Sequence, residues 1–334
     1  EPRPQRLGEL VVMNAVRIAT RGSKLALWQA EHIRAELCAR EPGLAVELLV
    51  VKTVGDQVLD RSLSAIGGKG LFTKEVEEAL LDGRADLTVH SLKDVPTEET
   101  PGLEIAAYPP REQPWDALLL NPSIRHAKGD SAQKLIGLLP SGSRVGTSSL
   151  RRGSQILALR SDLQIVPLRG NVDTRLRKLL AGELDAAVLA AAGLHRLGLG
   201  DHIAAYFSAD ELLPACGQGA LAVQCRKGDT ATRARLARLD HLPTRQAVLA
   251  ERRLNQRLGG SCQTPLAAHA RLVEGSLGDS ELHLTAMVGS LDGRTVLRAA
   301  AQGSPQSPFL LAETVAEALL GQGAQALLRS DAPR

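Results

Sequence analysis

Residues able to do ionic and acid–base chemistry gather at Val89-His90-Ser91-Leu92-Lys93-Asp94-Val95-Pro96. The preceding Ala85-Asp86-Leu87-Thr88 alternates like a strand, and Pro96 has no N–H to give a sheet ladder, so the strand must end before it. Ser91, Lys93 and Asp94 then stand where a strand opens into a loop, which is where open α/β sheets bind ligands. A carboxylate beside an ammonium there suits a cationic reaction centre on a molecule that also carries an anionic group. Taken alone, Lys93 and Asp94 read as a solvated loop pair worth little.

Other basic residues change the balance. Arg21, Arg151, Arg152, Arg169, Arg175 and Arg196 join Lys93 near strand ends or helix starts, with Ser23, Ser148 and Ser149 as further donors. Helix N-termini attract anions, and guanidinium groups bind carboxylate or phosphate through two parallel bonds. Arginines decorate any surface, but their shared topological position points to a cleft for a molecule with many anionic groups. Gly67-Gly68-Lys69-Gly70 lacks the spacing of a nucleotide-binding loop and reads better as a lid. Cys262, in Gly259-Gly260-Ser261-Cys262-Gln263-Thr264-Pro265, sits on a glycine-flanked loop where a thiol can be accessible, although a lone cysteine is more often inert. His90, His195 and His269 read as core or loop residues.

The elements that must position these groups alternate between strand and helix. Strands are expected at 15–20, 46–52 and around Val89, with helices over 24–40 and 73–81, Thr73 capping the second. The stretch 141–167 repeats the plan. Arg144-Val145-Gly146 runs through Thr147-Ser148-Ser149 into a helix reaching Arg160, as Ile18-Ala19-Thr20-Arg21-Gly22-Ser23 runs into Lys24 and Leu25. Strands at 117–120, 165–168, 186–191 and 220–225 follow the same reading, and Asp173 caps the helix that carries Arg175 and Arg177. After a helix over 243–258, segments 266–273, 282–288 and 295–300 alternate between Gly-containing turns, and 308–320 is helical. The fold class is therefore α/β, with two similar parallel-sheet lobes around a cleft and a smaller C-terminal α+β domain with an antiparallel sheet. The domains are residues 15–110 with 217–240, residues 111–216 and residues 241–334, after a tail at 1–14; a chain that crosses twice between lobes forms a two-strand hinge.

The chain has 334 residues and a net charge of +3, which by itself implies no nucleic acid. Aromatics make up 2 % of it, too few for base stacking along a strand. No apolar run is long enough for a bilayer, and the charged start lacks the layout of a signal peptide. Cys38, Cys216, Cys225 and Cys262 form no C-x-x-C pair, so neither zinc nor any other metal is expected, and reduced thiols in a cytoplasmic protein are.

Read in order, Arg17-Ile18-Ala19-Thr20-Arg21-Gly22-Ser23, Gly67-Gly68-Lys69-Gly70-Leu71-Phe72, His90-Ser91-Leu92-Lys93-Asp94-Val95-Pro96 and Gly146-Thr147-Ser148-Ser149-Leu150-Arg151-Arg152 resemble the porphobilinogen deaminases, also called hydroxymethylbilane synthases. Leu168-Arg169-Gly170-Asn171-Val172-Asp173-Thr174-Arg175, Ala192-Gly193-Leu194-His195-Arg196-Leu197-Gly198, Gly217-Gln218-Gly219-Ala220 and Gly259-Gly260-Ser261-Cys262-Gln263 extend the resemblance from about Val16 to the C-terminus. It implies lobes like those of periplasmic binding proteins. It implies a transferase that joins four porphobilinogen units head to tail with loss of ammonia, then releases linear hydroxymethylbilane with water. It further implies a dipyrromethane cofactor held through a thioether at Cys262, and Asp94 as the catalytic carboxylate. Lys93, Asp94, Ser148, Arg151, Arg152, Arg169 and Gly170 match cofactor-contacting positions; Arg21, Ser23, Arg169, Arg175, Gln218 and Phe72 match substrate-contacting ones. The enzyme is expected to be a cytoplasmic monomer whose partner is a small molecule, with no membrane, nucleic-acid or metal partner. Ala65 stands where some relatives carry lysine, and Asp173 where some carry glycine. A solute receptor or sensor without catalysis is the runner-up, since two similar lobes around a hinge suit ligand capture, but it would need neither Asp94 in the cleft nor a tethered pyrrole; a phosphate-handling enzyme rests only on the glycine loop and the arginines.

Overall fold

The computed structural model describes residues 15–53, 73–260, 264–274 and 280–330. The first lobe opens with β1 (Ala15–Arg21), α1 (Lys24–Arg40), β2 (Ala45–Val51), α2 (Lys74–Leu81), β3 (Leu87–Ser91) and β4 (Leu103–Ala107). The chain crosses to β5 (Asp116–Leu120), α3 (Ala132–Leu138), β6 (Arg144–Gly146), α4 (Leu150–Leu159), β7 (Gln164–Val166), α5 (Val172–Leu180), β8 (Ala186–Ala190), α6 (Ala191–Arg196) and β9 (Ala205–Tyr206). It returns to the first lobe with β10 (Leu221–Arg226) and α7 (Thr230–Leu236). A third unit follows, with α8 (Leu242–Arg257), β11 (Leu266–Glu274), β12 (Ser280–Gly289), β13 (Val296–Gly303), α9 (Pro308–Gly321) and α10 (Ala324–Ser330).

Two sheets share one plan. Their orders are β2-β1-β3-β10-β4 and β7-β6-β8-β5-β9. β1 runs parallel to β2 and β3, and β6 parallel to β7 and β8. β10 runs antiparallel to β3 and β4, and β5 to β8 and β9. The purely parallel sheet expected from the strand–helix alternation is thus corrected to a mixed one. The reason is the crossing itself. β4 leaves the first lobe at the end where β1 and β3 finish, so β5 enters the second lobe at that same end and must run the other way. β10 does likewise on the return.

Apolar spacing seats the layers. In α1, Ala30, Ile33 and Leu37 are buried against Ile18, Leu87 and Val223 of the sheet. On the other face, Val76 and Leu80 of α2 pack on Ala19 and Leu103. Successive strand residues point to opposite faces, so Leu87 and Val89 go to the α1 side while Thr88 and His90 go to the other. The third unit packs Leu254 of α8 and Val315 and Leu319 of α9 on Leu282 and Leu284 of β12, closing its own core.

Several local expectations need correction. Thr73 precedes α2, but its hydroxyl makes no capping bond, and its backbone is already near the helical region. Asn171, not Asp173, holds the capping position of α5; Asp173 is the second residue of the helix and pairs across the lobes with Lys24 at 3.3 Å. β7 ends at Val166, since Pro167 cannot continue the ladder. Short elements with weak periodicity, β4, α3, β9, α7 and α10, carried too little pattern to be read. No helix among the described residues is long and apolar enough to cross a membrane.

Candidate functional site

On the first lobe, β1 and β3 finish side by side. Ser23 turns β1 into α1, its Oγ accepting from the Ala26 N–H at 3.3 Å. After β3, residues Leu92–Asp94 form one 3-10 turn. Leu92 anchors that turn: its side chain is buried with Ile105 and Val248, and its N–H donates to the Ala220 carbonyl at 3.0 Å. Lys93 is left half-buried and Asp94 exposed. A crevice of about 80 Å³ opens here, lined among others by Arg21, Ser23, Thr73, His90, Ser91 and Asp94.

The second lobe supplies the opposite wall by the same device. β6 runs through Thr147 and Ser148 into α4, capped by Ser149 Oγ accepting from the Arg152 N–H at 3.4 Å. Ser148 is exposed and its Oγ donates to the Leu168 carbonyl at 3.0 Å. Arg169 and Gly170 follow β7. Gly170 has a φ of 102°, and a Cβ there would stand 2.9 Å from Thr174 Cγ2. Its carbonyl accepts from Arg175 Nε at 2.7 Å, which sets the Arg175 guanidinium.

Cations and carboxylates of the two lobes feel one another across the gap. Burial pushes the Lys93 ammonium down to about 8; Arg152 adds to the fall, and Asp94 and Asp116 oppose it. Burial likewise pushes Arg175 down to about 10, helped by Arg152 and opposed by Asp94. Positive groups held this close, with their charged forms already strained, fit a ligand bearing several carboxylates. That is the chemistry of a chain of acetate- and propionate-bearing pyrroles, and the donor set therefore fits a dipyrromethane.

Three predicted residues lie elsewhere. Arg151 is buried and its guanidinium is engaged inside the protein, on Asp116 Oδ2 and the Leu213 carbonyl at 2.7 and 2.8 Å. Gln218 is fully buried, with Nε2 on the Pro114 carbonyl at 2.6 Å and on Asp116 Oδ1 at 3.1 Å. Both belong to the support of the cleft rather than its exposed wall. Arg196 donates to the Gly219 carbonyl at 2.7 Å and lies over the Trp28 ring at 5.6 Å, tying α6 to the crossing and to α1. Cys262, Phe72 and the Gly67–Gly70 loop lie outside the described residues. Among the described residues no group of three His, Cys, Asp or Glu is placed to hold a metal.

Two buried carboxylates organise the support, and neither was singled out from the sequence. Asp116 opens β5 and is fully buried between Arg151 and Arg152, with Arg152 Nε at 2.8 Å. Burial alone would raise its carboxyl, but the two guanidinium groups hold it down at about 2. Glu251 of α8, also fully buried, accepts from Arg111 at 2.6 and 3.1 Å, from the Gly217 N–H at 2.6 Å and from the Ala270 N–H at 2.8 Å. It thereby bolts both crossings to β11. The crossings touch directly where Gly219, at φ 85°, comes so close that a Cβ would meet the Glu112 carbonyl at 2.3 Å. An acid at the head of the apolar run Asp116-Ala117-Leu118-Leu119-Leu120 was the available signal for Asp116. Glu251, on a helix rich in charge, gave none.

Comparison with known proteins follows the same lines. The chain matches the family described as "Porphobilinogen deaminase, dipyromethane cofactor binding domain" over residues 16–234. It matches "Porphobilinogen deaminase, C-terminal domain" over residues 245–321. Similar solved structures include the VFT2 domain of Bordetella pertussis BvgS, at 16% identity over 67% of this chain and 86% of that one, with a TM-score of 0.38. The BenM effector-binding domain with benzoate is similar at 19% identity over 70% and 91%, with a TM-score of 0.39. The aliphatic sulphonate binding protein SsuA of Escherichia coli is similar at 14% over 73% and 70%, with a TM-score of 0.36. By the two family matches, which together run from Val16 nearly to the end, the chain belongs to the porphobilinogen deaminases, transferases of tetrapyrrole biosynthesis that work with a dipyrromethane cofactor.

Proposed function

We propose that Asp94 is the catalytic carboxylate of this deaminase, that Cys262 anchors its dipyrromethane, and that the cations of both lobes hold the carboxylates of cofactor and growing chain. The observation that carries this is the electrostatic coupling of Lys93 and Asp94 on one lobe with Arg152 and Arg175 on the other. Lys93, Ser148, Arg152, Arg169 and Gly170 would hold the cofactor; Arg21, Ser23, Arg169 and Arg175 would hold porphobilinogen. When bound, the cofactor supplies the pyrrole α-carbon on which the chain is built.

Asp94 has two tasks in this scheme. Loss of ammonia leaves the substrate pyrrole electron-poor, and a carboxylate fixed beside it stabilises that positive charge. After the new carbon–carbon bond forms, the same carboxylate can take the proton that the ring carbon releases. Arg21 and Arg175 orient the substrate by its acetate and propionate, in the paired geometry that guanidinium groups favour. We take residues 15–110 with 217–240, residues 111–216 and residues 241–334 as the working domains, and the protein as a cytoplasmic monomer; its mass in solution checks the last point.

The test is incubation with porphobilinogen, following ammonia and porphyrin formation, with intact mass measured in parallel. Asp94→Asn is expected to lose about a hundredfold or more in rate, and Asp94→Glu to retain part of it. Protein as isolated should carry a mass increment matching a dipyrromethane, absent from Cys262→Ala. Normal turnover by Asp94→Asn, or full activity without the increment, would sink the assignment.

A further inference from the structure

The crevice at the head of β1 and β3 contains polar groups that this scheme does not use. Most of its hydroxyls are engaged: Thr20 Oγ1 donates to the Ala26 carbonyl at 3.1 Å and Thr88 Oγ1 to the Ala19 carbonyl at 2.9 Å. Ser23 Oγ caps α1, and Ser91 Oγ accepts from Gln29 Nε2 at 2.8 Å. Thr73 differs. It is 2 % exposed, lines the crevice, and its Oγ1 has no hydrogen-bond partner among the described residues. A buried hydroxyl without a partner costs free energy, so its retention on the wall of this crevice points to a ligand atom.

His90 is the second group on this wall that the scheme leaves unused. Its Nε2 meets Gln224 Oε1 at 2.9 Å. Gln224 Nε2 donates to Glu77 Oε1 at 2.9 Å, and Thr100 Oγ1 donates to Glu77 Oε2 at 2.9 Å. A carboxylate only accepts, so it fixes which end of the Gln224 amide faces inward. The amide oxygen then faces His90, and His90 Nε2 must carry the hydrogen. Burial keeps the ring neutral by lowering its pKa. Nδ1 therefore holds a lone pair, and nothing among the described residues is bonded to it. Glu77 thus backs the ring through Gln224, and His90 lines the crevice together with Asp94 and Arg21.

We infer that Thr73 Oγ1 and His90 Nδ1, together with the exposed carboxylate of Asp94, form a three-acceptor subsite for the aminomethyl ammonium of the incoming pyrrole. An ammonium has three N–H donors and no acceptor, which matches three acceptors on one wall. The inference rests on the porphobilinogen reading above. The bond that breaks is the one between the methylene carbon and nitrogen; its electron pair leaves with nitrogen as ammonia, and the carbon keeps the positive charge that Asp94 faces. Thr73 and His90 hold that bond in place and give up no proton.

The experiment compares the enzyme as isolated with Thr73→Val and Thr73→Ser. Two quantities are measured: kcat/KM for porphobilinogen, and inhibition by an analogue with methyl in place of aminomethyl. Thr73→Val removes an unpartnered hydroxyl at nearly constant shape, so its folding is expected to be undisturbed. It should lower kcat/KM by about tenfold or more while leaving analogue inhibition within about twofold, and Thr73→Ser should restore the rate. Nitrogen NMR of histidine-labelled protein should show His90 with its hydrogen on Nε2. Equal weakening of substrate and analogue, no change in either, failure of the serine variant to rescue, or a hydrogen on Nδ1 would each overturn the subsite. Absence of ammonia release by the unsubstituted enzyme would instead reject the porphobilinogen reading itself.

Discussion

Two aspartates face the same cluster of cations and end in opposite states. Asp116 enters it from the second lobe, fully buried, with Arg151, Arg152 and Gln218 on its oxygens. Asp94 enters from the first lobe on an exposed turn. A carboxylate surrounded before any ligand arrives can only hold structure. One left at the surface of the cluster can respond to a ligand's charge. The difference lies in placement: Asp116 heads a strand whose every residue is buried, while Asp94 ends the 3-10 turn that follows β3. On the proposed assignment cleft chemistry needs both, because Asp116 fixes Arg152 and so sets the wall opposite Asp94.

The contrast breaks most sharply by neutralising each acid in turn. Asp116→Asn leaves two buried guanidinium groups without their counter-charge, and a loss of about 3–5 kcal/mol in unfolding free energy is expected. Asp94→Asn should stay within about 0.5 kcal/mol of the parent while losing turnover. Denaturant titration of both variants checks this. pH separates them as well. Asp116 has its carboxyl lowered from 3.8 to about 2, so its contribution is present above pH 3.8 and is lost as pH falls through about 2. That part of the acid transition should vanish in Asp116→Asn.

How far the sequence carried this comparison follows from distance along the chain. Strand, turn and helix at Ala15–Arg40 and at Arg144–Leu159 are local patterns, and the structure adds a serine cap at the start of each helix, where the sequence was read only as offering donors. The cations could be located at strand ends because such a residue needs no distant partner to be placed, but which of them turn inward was not legible: Arg151 and Arg196 are engaged inside the protein. Asp116 was not, since its partners stand 35 and 102 positions away. Glu251 meets Arg111 across 140 positions, and no periodicity encodes that. The orphan hydroxyl of Thr73 was misread for a related reason: a threonine before a helix suits a cap, and only the backbone shows that the capping bond is not made.

Lys93 sharpens the contrast in the other direction, by a smaller effect. Its ammonium is lowered from 10.5 to about 8, so above pH 8 the cleft loses one of its cations. An anion that binds there raises that value, and binding must take up a proton between about pH 8 and 10.5. Affinity for a dicarboxylate pyrrole should therefore fall as pH rises through 8. In Lys93→Arg the fall should move to higher pH, since a guanidinium stays charged. Calorimetry in two buffers of different ionisation enthalpy reads the proton uptake directly, and an unchanged profile in Lys93→Arg would assign it elsewhere.

The smallest effect tests whether the two lobes are built alike. Ser23 and Ser149 cap α1 and α4 through the same kind of bond, at 3.3 and 3.4 Å. The cap of α4 feeds the turn that carries Arg151 and Arg152 to Asp116; the cap of α1 feeds the crevice at the head of β1 and β3. Each alanine substitution removes one acceptor from a helix start, worth about 1 kcal/mol. Ser149→Ala should show that loss and little change in kcat, because Asp116 still holds Arg152 in place. Ser23→Ala should show a similar loss of stability together with a raised KM, because Ser23 Oγ also faces the crevice. Equal kinetic effects from the two would mean that the acid at the head of β5 does not determine which wall of the cleft is rigid.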